Sequence, residues 1–358
     1  MNPHFQRLLS QATRLTQGGK LQAATAAIQA ALAGKSFPDP AASVARSDFD
    51  VIDVQAREVR REATEPAQSG QPAQTSRAGS QFIAGSHREG SAARDYKLYL
   101  PPATASGPLP LVVMLHGCTQ NPDDFAAGTG MNEAALKQGF FVLYPAQAQS
   151  ANPSRCWNWF KHNHQKRGRG EPALLAGMTR AVMEQHHIDP QRVYVAGLSA
   201  GGAMAAILGE AYPELFAAVG VHSGLPAGAA ANVQEALSAM KTGGSVTAPG
   251  GRTPPTIVFH GDQDGTVHPV NGERAVAASA GAATPTLERS RSRNGLEYTR
   301  HVYRQADGRV QAEHWAVHGA GHAWSGGNPR GSYTEARGPD ATQEMLRFFM
   351  SHKLTAAR

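Results

Sequence analysis

Short runs of apolar residues, each ending in small or polar residues, recur along the chain from about residue 80 onward. These runs are too short for buried helices and show little alternation with polar residues, which is typical of strands covered on both faces. Longer stretches between them favour helices. The strand-like runs cover 111–115, 193–196 and 256–259, and the predicted helices cover 172–187, 200–211 and 340–352. This order predicts an α/β fold with a mostly parallel sheet flanked by helices.

Two further regions alternate apolar and polar residues around a turn, which predicts hairpins. The first joins residues 81–84 to 96–100, and the second joins 297–303 to 310–317. No internal repeat is evident, so we expect residues 80–358 to form one domain.

The first 79 residues follow a different pattern. Apolar residues recur at roughly helical spacing from Leu8 to Leu32, with a break at Gly18, and predict a helical extension over residues 1–35. Residues 36–79 are rich in Pro, Ala, Ser and Gln and predict a flexible linker. The helical segment has two candidate roles: it packs on the main domain or on a second copy in a homodimer, or it binds the surface of a lipid-like granule.

Composition and charge narrow the classes of protein. The chain has 358 residues, of which 41% are hydrophobic, so it can bury one large core. Its formal charge is +6, but the basic residues are scattered and no nucleic-acid-binding motif accompanies them, so we expect no nucleic-acid partner.

No apolar run approaches the roughly 18 residues of a transmembrane helix. The first 20 residues lack the apolar core of a signal peptide, which favours a cytoplasmic location; a secreted form remains an alternative if a signal has already been removed.

A candidate nucleophile lies where one predicted strand meets a predicted helix. Residues 197–201 read G-L-S-A-G, and this strand, G-x-S-x-G, helix order is the nucleophile elbow, with Ser199 at its centre. Small neighbours let the strand and helix approach closely enough to hold a strained serine. The helix that follows directs its first N–H groups, beginning with Ala200, toward charge that develops beside the serine. The predicted strand at 111–115 ends in a His-Gly turn, where the N–H of Cys118 is a second candidate oxyanion donor.

Acidic and histidine partners follow the serine in the chain. The predicted strand at 256–259 leads to Asp262 and Asp264, and a glycine-flanked His322 comes later. Serine, acid, histidine is the α/β-hydrolase order, so we expect that fold. The spacing from His260 through Asp264 favours Asp264 as the acid. Asp262 is then expected to bind nearby backbone in the turn.

Four separated motifs together resemble the polyhydroxybutyrate (PHB) depolymerase family of esterases, which includes feruloyl and acetylxylan esterase relatives. The motifs read HGCTQ at 116–120, RCWNWF at 155–160, GLSAGG at 197–202 and GHAWSGG at 321–327. The similarity covers about residues 80 to 353. It implies a serine esterase with Ser199, Asp264 and His322 as the triad, and it leaves the ester open.

The two cysteines have alternative states. The resemblance implies that the segments of Cys118 and Cys156 meet near the active site, where a disulfide would form. The absence of a signal peptide favours two reduced thiols instead. Their spacing does not suit a zinc site, and we expect neither a metal nor a cofactor.

The substrate follows from the same resemblance and from a few further residues. Trp157, Trp159 and Trp324 are candidates for a flat apolar surface that binds a short acyl group, with core packing as the alternative. His222 ends another predicted strand and is expected to line the same pocket. We expect hydrolysis of poly- or oligo-3-hydroxybutyrate esters, because the chain ends soon after its last predicted helix, without the binding domain of secreted depolymerases. The alternatives are a feruloyl or acetylxylan esterase and, in another class, a non-catalytic granule-associated scaffold.

Overall fold

A computed structural model describes residues 79–102, 107–244 and 253–354. Within these ranges, ten strands form one sheet in the order β1-β2-β4-β3-β5-β6-β7-β10-β9-β8, and a short pair, β11 and β12, forms a second. The strands are β1 (Gln81–Glu89), β2 (Ala92–Leu100), β3 (Leu109–Leu115), β4 (Phe141–Pro145), β5 (Ile188–Leu198), β6 (Ala218–His222), β7 (Thr256–Gly261), β8 (Thr286–Arg291), β9 (Glu297–Arg304), β10 (Val310–Val317), β11 (Trp324–Ser325) and β12 (Thr334–Glu335). The helices are α1 (Pro122–Thr129), α2 (Met131–Gln138), α3 (Gly170–Gln185), α4 (Ala200–Ala211), α5 (Val233–Thr242), α6 (Val270–Ala280) and α7 (Ala341–Met350).

The six central strands of the large sheet, from β4 to β10, run parallel to one another. Antiparallel strands extend both edges, with β1 and β2 on one side and β9 and β8 on the other. Both hairpins predicted from the sequence are present. Strand β8 was not predicted, because all six of its residues are exposed and it lacks an apolar face.

Two hydrophobic clusters cover the two faces of the sheet. Along β5, Val193 and Val195 pack into one cluster, with helices α3, α4, α5 and α6, and the alternating Tyr194 and Ala196 pack into the other. Helices α1, α2 and α7 cover that second face. Because both faces are buried, the strand carries apolar residues in succession, which is the pattern that predicted the parallel sheet.

The predicted helices agree with the observed ones to within a few residues at each end. Helix α7 begins where the Asp340 side chain accepts a hydrogen bond from the Gln343 N–H at 3.0 Å, which caps the first turn. The predicted helical extension at 1–35 and most of the predicted linker at 36–79 lie outside the described residues. No helix in the described part of the chain has the length and hydropathy to cross a membrane.

Parallel strands place their carboxyl ends along one edge of a sheet. Here β3, β5, β7 and β10 all end at that edge. The loops that follow these four strands contain Cys118, Ser199, Asp264 and His322, respectively.

Candidate active site

Ser199 occupies a strained turn between the end of β5 and the start of α4. Its φ is +57° and its ψ −118°, a conformation that costs a residue with a Cβ on the order of 1–3 kcal/mol. The neighbouring glycines have no room for a side chain: a Cβ on Gly197 would lie 2.3 Å from the Gly201 carbonyl carbon, and one on Gly201 would lie 2.0 Å from the Leu115 oxygen. The Ser199 N–H donates to the His222 carbonyl at 2.9 Å. Close packing of β3, β5, β6 and α4 therefore keeps Ser199 in its strained conformation.

His322 and Asp264 are hydrogen-bonded to each other at this edge of the sheet. The His322 Nδ1 lies 2.7 Å from Asp264 Oδ2. The other carboxylate oxygen, Oδ1, accepts the N–H groups of Thr266 at 2.9 Å and Val267 at 2.8 Å, which fixes the orientation of the carboxylate. The carboxylate is fully buried, whereas 13% of the His322 side chain is exposed.

Burial by itself raises the pKa of Asp264, but hydrogen bonds from His260 and His322, the charge of His322 and the Val267 N–H outweigh it and hold that pKa well below its usual range. His260 Nε2 lies 3.3 Å from Oδ2 of the same carboxylate. Asp264 is therefore ionised across the working pH range of most enzymes, as a group that orients and stabilises a histidine cation needs to be.

Asp262, two residues earlier in the same turn, contacts a different histidine. Its Oδ2 lies 3.0 Å from His318 Nδ1, and its Oδ1 accepts the Gly319 N–H at 2.7 Å. The Asp262 N–H in turn donates to the Val317 carbonyl at 3.1 Å. Asp262 thus binds the beginning of the loop that carries His322.

The loop after β3 lies directly beside the serine. A Cβ on Gly117 would come within 3.6 Å of the Ser199 Cβ. The next residue, Cys118, forms a disulfide with Cys156, with 4.2 Å between the two Cα atoms, and the Thr119 N–H donates to the Ser154 carbonyl at 2.6 Å. These bonds attach the loop after β3 to residues 154–156 and thereby fix the backbone at Cys118.

Ala200 is the first residue of α4, so its N–H has no acceptor within the helix. The N–H groups of Ala200 and Cys118 thus belong to the two backbone segments that flank Ser199, which is where a pair of oxyanion donors would lie.

The three tryptophans proposed to bind substrate lie in the core. Trp157, Trp159 and Trp324 are 0%, 5% and 1% exposed. The indole N–H of Trp157 donates to the His116 carbonyl at 3.1 Å, and that of Trp324 donates to the Thr342 hydroxyl at 3.1 Å. Side chains this buried offer almost no surface to a ligand. The expectation of an exposed tryptophan surface was wrong, and core packing, the alternative, describes them.

His222 likewise does not line an open pocket, which corrects a second expectation. It is 1% exposed, and its ring stacks between Phe259 and Trp324. Its Nε2 accepts the Ser325 N–H at 2.9 Å, while its carbonyl accepts the Ser199 N–H. Burial lowers its pKa well below the usual value, so the ring is neutral. His222 therefore connects the serine turn to the segment that follows His322.

Backbone strain reveals residues that the sequence patterns missed. Five non-glycine residues of the described chain have a positive φ, and all lie in loops after strands: Thr119, Arg155, Ser199, Ser223 and Tyr333. Strain of this kind concentrates at functional sites. Nothing in the hydrophobic pattern indicated Tyr333, although a lone aromatic residue in a loop rich in glycine and serine is a usable signal. The described residues contain no group of three His, Cys, Asp or Glu suited to a metal ion.

The sheet, the strained serine turn and the positions of Asp264 and His322 define an α/β-hydrolase fold. A solved acetyl xylan esterase from Aspergillus awamori shares this fold, with a TM-score of 0.59 over 76% of this chain and 99% of that chain, at 22% identity. The chain belongs to the family described as Esterase PHB depolymerase, which it matches over residues 94–279.

Three curated relatives are similar to the chain at about the same level. Poly(3-hydroxyalkanoate) depolymerase C of Paucimonas lemoignei is 32% identical, over 60% of this chain and 54% of that protein. Acetylxylan esterase A of Emericella nidulans is 31% identical, over 49% and 63%. Poly(3-hydroxybutyrate) depolymerase of Ralstonia pickettii is 30% identical, over 63% and 50%. The chain thus spans half to two thirds of the length of these relatives.

Proposed function

We propose that this protein is a carboxylic ester hydrolase with Ser199 as nucleophile, His322 as base and Asp264 as the acid of a catalytic triad. The observation that carries the proposal is the 2.7 Å bond between His322 and a buried, ionised Asp264, at the sheet edge where Ser199 is held in a strained turn. A scaffold on the same fold would have no use for this strain or for a buried carboxylate directed at a histidine, so the arrangement favours an enzyme.

In the proposed reaction, His322 removes the proton of the Ser199 hydroxyl, whose oxygen attacks the ester carbonyl. The carbonyl oxygen becomes an oxyanion, which the N–H groups of Cys118 and Ala200 stabilise; removal of one such donor typically costs about 10²–10³ in turnover. The alcohol leaves with the proton from His322. Water, activated by the same histidine, then hydrolyses the acyl-enzyme.

For the substrate, we propose ester bonds of poly- or oligo-3-hydroxybutyrate. Two of the relatives described above are named as depolymerases, one of poly(3-hydroxyalkanoate) and one of poly(3-hydroxybutyrate), which supports this choice. An acetylxylan or feruloyl esterase is the second candidate, supported by the acetylxylan esterase and by a feruloyl esterase B of Thermothelomyces thermophilus that is 30% identical. As partners we propose the polyester granule surface or a second copy of the chain, both through residues 1–35.

A side-by-side assay tests the proposed function. We expect the specificity constant for the 3-hydroxybutyrate trimer to exceed those for methyl ferulate and acetylated xylan. Ser199→Ala and His322→Ala should each lower turnover at least about 10³-fold, because the triad acts as a unit. Their unfolding transitions should match the wild type. Higher constants for ferulate or acetylated xylan would favour the second candidate, and unchanged turnover in the Ser199 variant would refute the triad.

The compartment is tested through the two cysteines. The Cys118–Cys156 disulfide favours an oxidising compartment, since cytosolic thiols are kept reduced. We propose that the bridge is present in the native protein. Alkylation of the protein in its own cells, followed by denaturation and mass spectrometry, should detect no free thiol. Two alkylated cysteines would support the cytoplasmic location instead.

A further inference from the structure

Tyr333, between β11 and the last helix, combines exposure with backbone strain. The residue is 46% exposed, and its φ is +52°. A bulky residue at positive φ is a conformational outlier, and asparagine or glycine adopts this conformation more readily. Because the residue is exposed, packing of the ring into the core does not account for a tyrosine at this position.

Two contacts hold Tyr333 between the two halves of the candidate site. Its hydroxyl lies 3.2 Å from the Thr119 hydroxyl, and Thr119 follows the oxyanion donor Cys118. Its carbonyl accepts the N–H of Trp324 at 2.7 Å, and Trp324 is two residues after His322. The tyrosine therefore spans the distance from the loop of the oxyanion donor to the loop of the base.

Hydrogen bonds and close packing hold the segment around Tyr333 against α1 and the loop before it. The Ser332 N–H and hydroxyl donate to the two oxygens of Asp124 at 2.9 and 2.6 Å. A buried Gln120 donates to the Ser332 carbonyl at 3.1 Å and accepts the Gly117 N–H at 2.9 Å. Gly331 packs so closely on Gly128 that a Cβ on Gly331 would lie 2.4 Å from the Gly128 backbone. The position of Tyr333 is thus coupled to the oxyanion loop itself.

We propose that the exposed ring of Tyr333 binds the alcohol portion of the ester substrate, a role that rests on the proposed esterase function. In a serine esterase the leaving alcohol receives its proton from the histidine, so the alcohol portion lies on the histidine side of the scissile bond. The carbonyl of Tyr333 is bonded to Trp324 on that side, and the ring extends from there to the Thr119 hydroxyl. An aromatic face between these two loops favours apolar alcohol portions, such as the next unit of a hydroxyacyl chain, over a methyl group.

The test compares acetate esters that share an acyl group and differ in the alcohol. Tyr333→Asn removes the ring but keeps a residue that tolerates positive φ. We expect its kcat/KM for benzyl acetate to fall about tenfold, mainly through KM, and that for methyl acetate to fall much less. Its midpoint of thermal unfolding should equal or exceed that of the wild type, because strain is relieved. The control is Leu287→Ala on β8, a 60% exposed residue outside the site, which should leave both constants unchanged.

Two further comparisons make the proposal falsifiable. Tyr333→Phe, which keeps the ring and loses the hydroxyl bonded to Thr119, should retain most of the preference for benzyl acetate. In the series methyl acetate to methyl hexanoate, where only the acyl group varies, Tyr333→Asn should retain the wild-type length preference. The proposal is overturned if Tyr333→Asn leaves the ratio of kcat/KM for benzyl acetate to kcat/KM for methyl acetate unchanged. It is also overturned if kcat/KM falls equally on both esters and the midpoint of thermal unfolding is lowered. Failure of the wild type to hydrolyse any ester would instead overturn the proposed function, and the inference with it.

Discussion

Asp262 and Asp264 lie in the same turn but bind different partners. They have the same side chain and lie two positions apart, yet Asp264 contacts His322 and Asp262 contacts His318 and Gly319. Two N–H groups of the turn fix the Asp264 carboxylate in the interior, whereas 38% of the Asp262 side chain is exposed. The sequence spacing favours Asp264 as the acid, and the contact between Asp264 and His322 supports that proposal.

The pair of aspartates provides a matched test of the acid. Asp264→Asn should lower kcat on a chromogenic acetate ester by about 10⁴-fold. The amide neither stabilises the His322 cation nor holds the neutral imidazole in the required tautomer. Asp262→Asn, the control, should lower kcat less than about tenfold, since it alters only the support of the loop. A larger loss in Asp262→Asn than in Asp264→Asn would show that the acid has been assigned to the wrong residue.

At the scale of elements, one buried carboxylate joins β9, β10 and α7. Glu313 of β10 is fully buried, and Arg300 of β9 donates to both of its oxygens, at 3.1 and 2.7 Å. Arg347 of α7 donates at 2.6 Å, and the Trp315 indole N–H at 3.0 Å. Burial raises the pKa of Glu313, but the two guanidinium groups outweigh burial and lower it below its usual value. Strand β10 leads directly to the loop of His322, so this cluster supports the site.

Glu313→Gln should lower the free energy of unfolding at pH 7 by about 3 kcal/mol, because Arg300 loses its buried partner. Glu297→Gln is the control: Glu297 pairs with Arg291 at the surface, where such a bond is worth about 1 kcal/mol or less. Urea unfolding at pH 7 measures both. Equal losses in the two variants would contradict a structural role for the buried cluster.

The same cluster predicts a pH dependence of stability. Because the pKa of Glu313 is lower in the folded than in the unfolded protein, its stabilisation is complete above the unfolded-state value of about 4.3 and declines as the pH falls below it. The wild type should therefore lose more stability than Glu313→Gln between neutral and acidic pH. Urea unfolding at a series of pH values measures the difference, and parallel curves would refute it.

At the scale of the whole molecule, every residue proposed for catalysis lies between Cys118 and His322, in loops along one edge of the large sheet. A chain that starts at Ser80 should therefore keep the full-length specificity constant on a soluble ester. If residues 1–35 bind granules, the truncated chain should lose co-sedimentation with native polyester granules. Full-length Ser199→Ala is the control, because it should bind granules without hydrolysing them. Equal binding by both lengths would assign the first residues to packing or to a homodimer, which size-exclusion chromatography distinguishes.

The sequence by itself determined what depends on local chemistry. The apolar runs predicted the parallel strands because a strand covered on both faces needs apolar residues in succession. The glycines around Ser199 indicated a strained turn because residues without a large side chain let a strand and a helix approach closely. The order of serine, acid and histidine then predicted the α/β-hydrolase fold, which the structure and its similarity to a solved acetyl xylan esterase confirm.

Only the tertiary structure decided which side chains face solvent. Trp157 and Trp324 suggested a binding surface in the sequence, yet their indole groups are bonded to His116 and Thr342 in the interior. The hydrophobic pattern did not indicate Tyr333, and its proposed role depends on Thr119, more than two hundred positions away. The reason is physical: burial and strain at a residue are set by groups that folding brings from distant parts of the chain, and no local period encodes them.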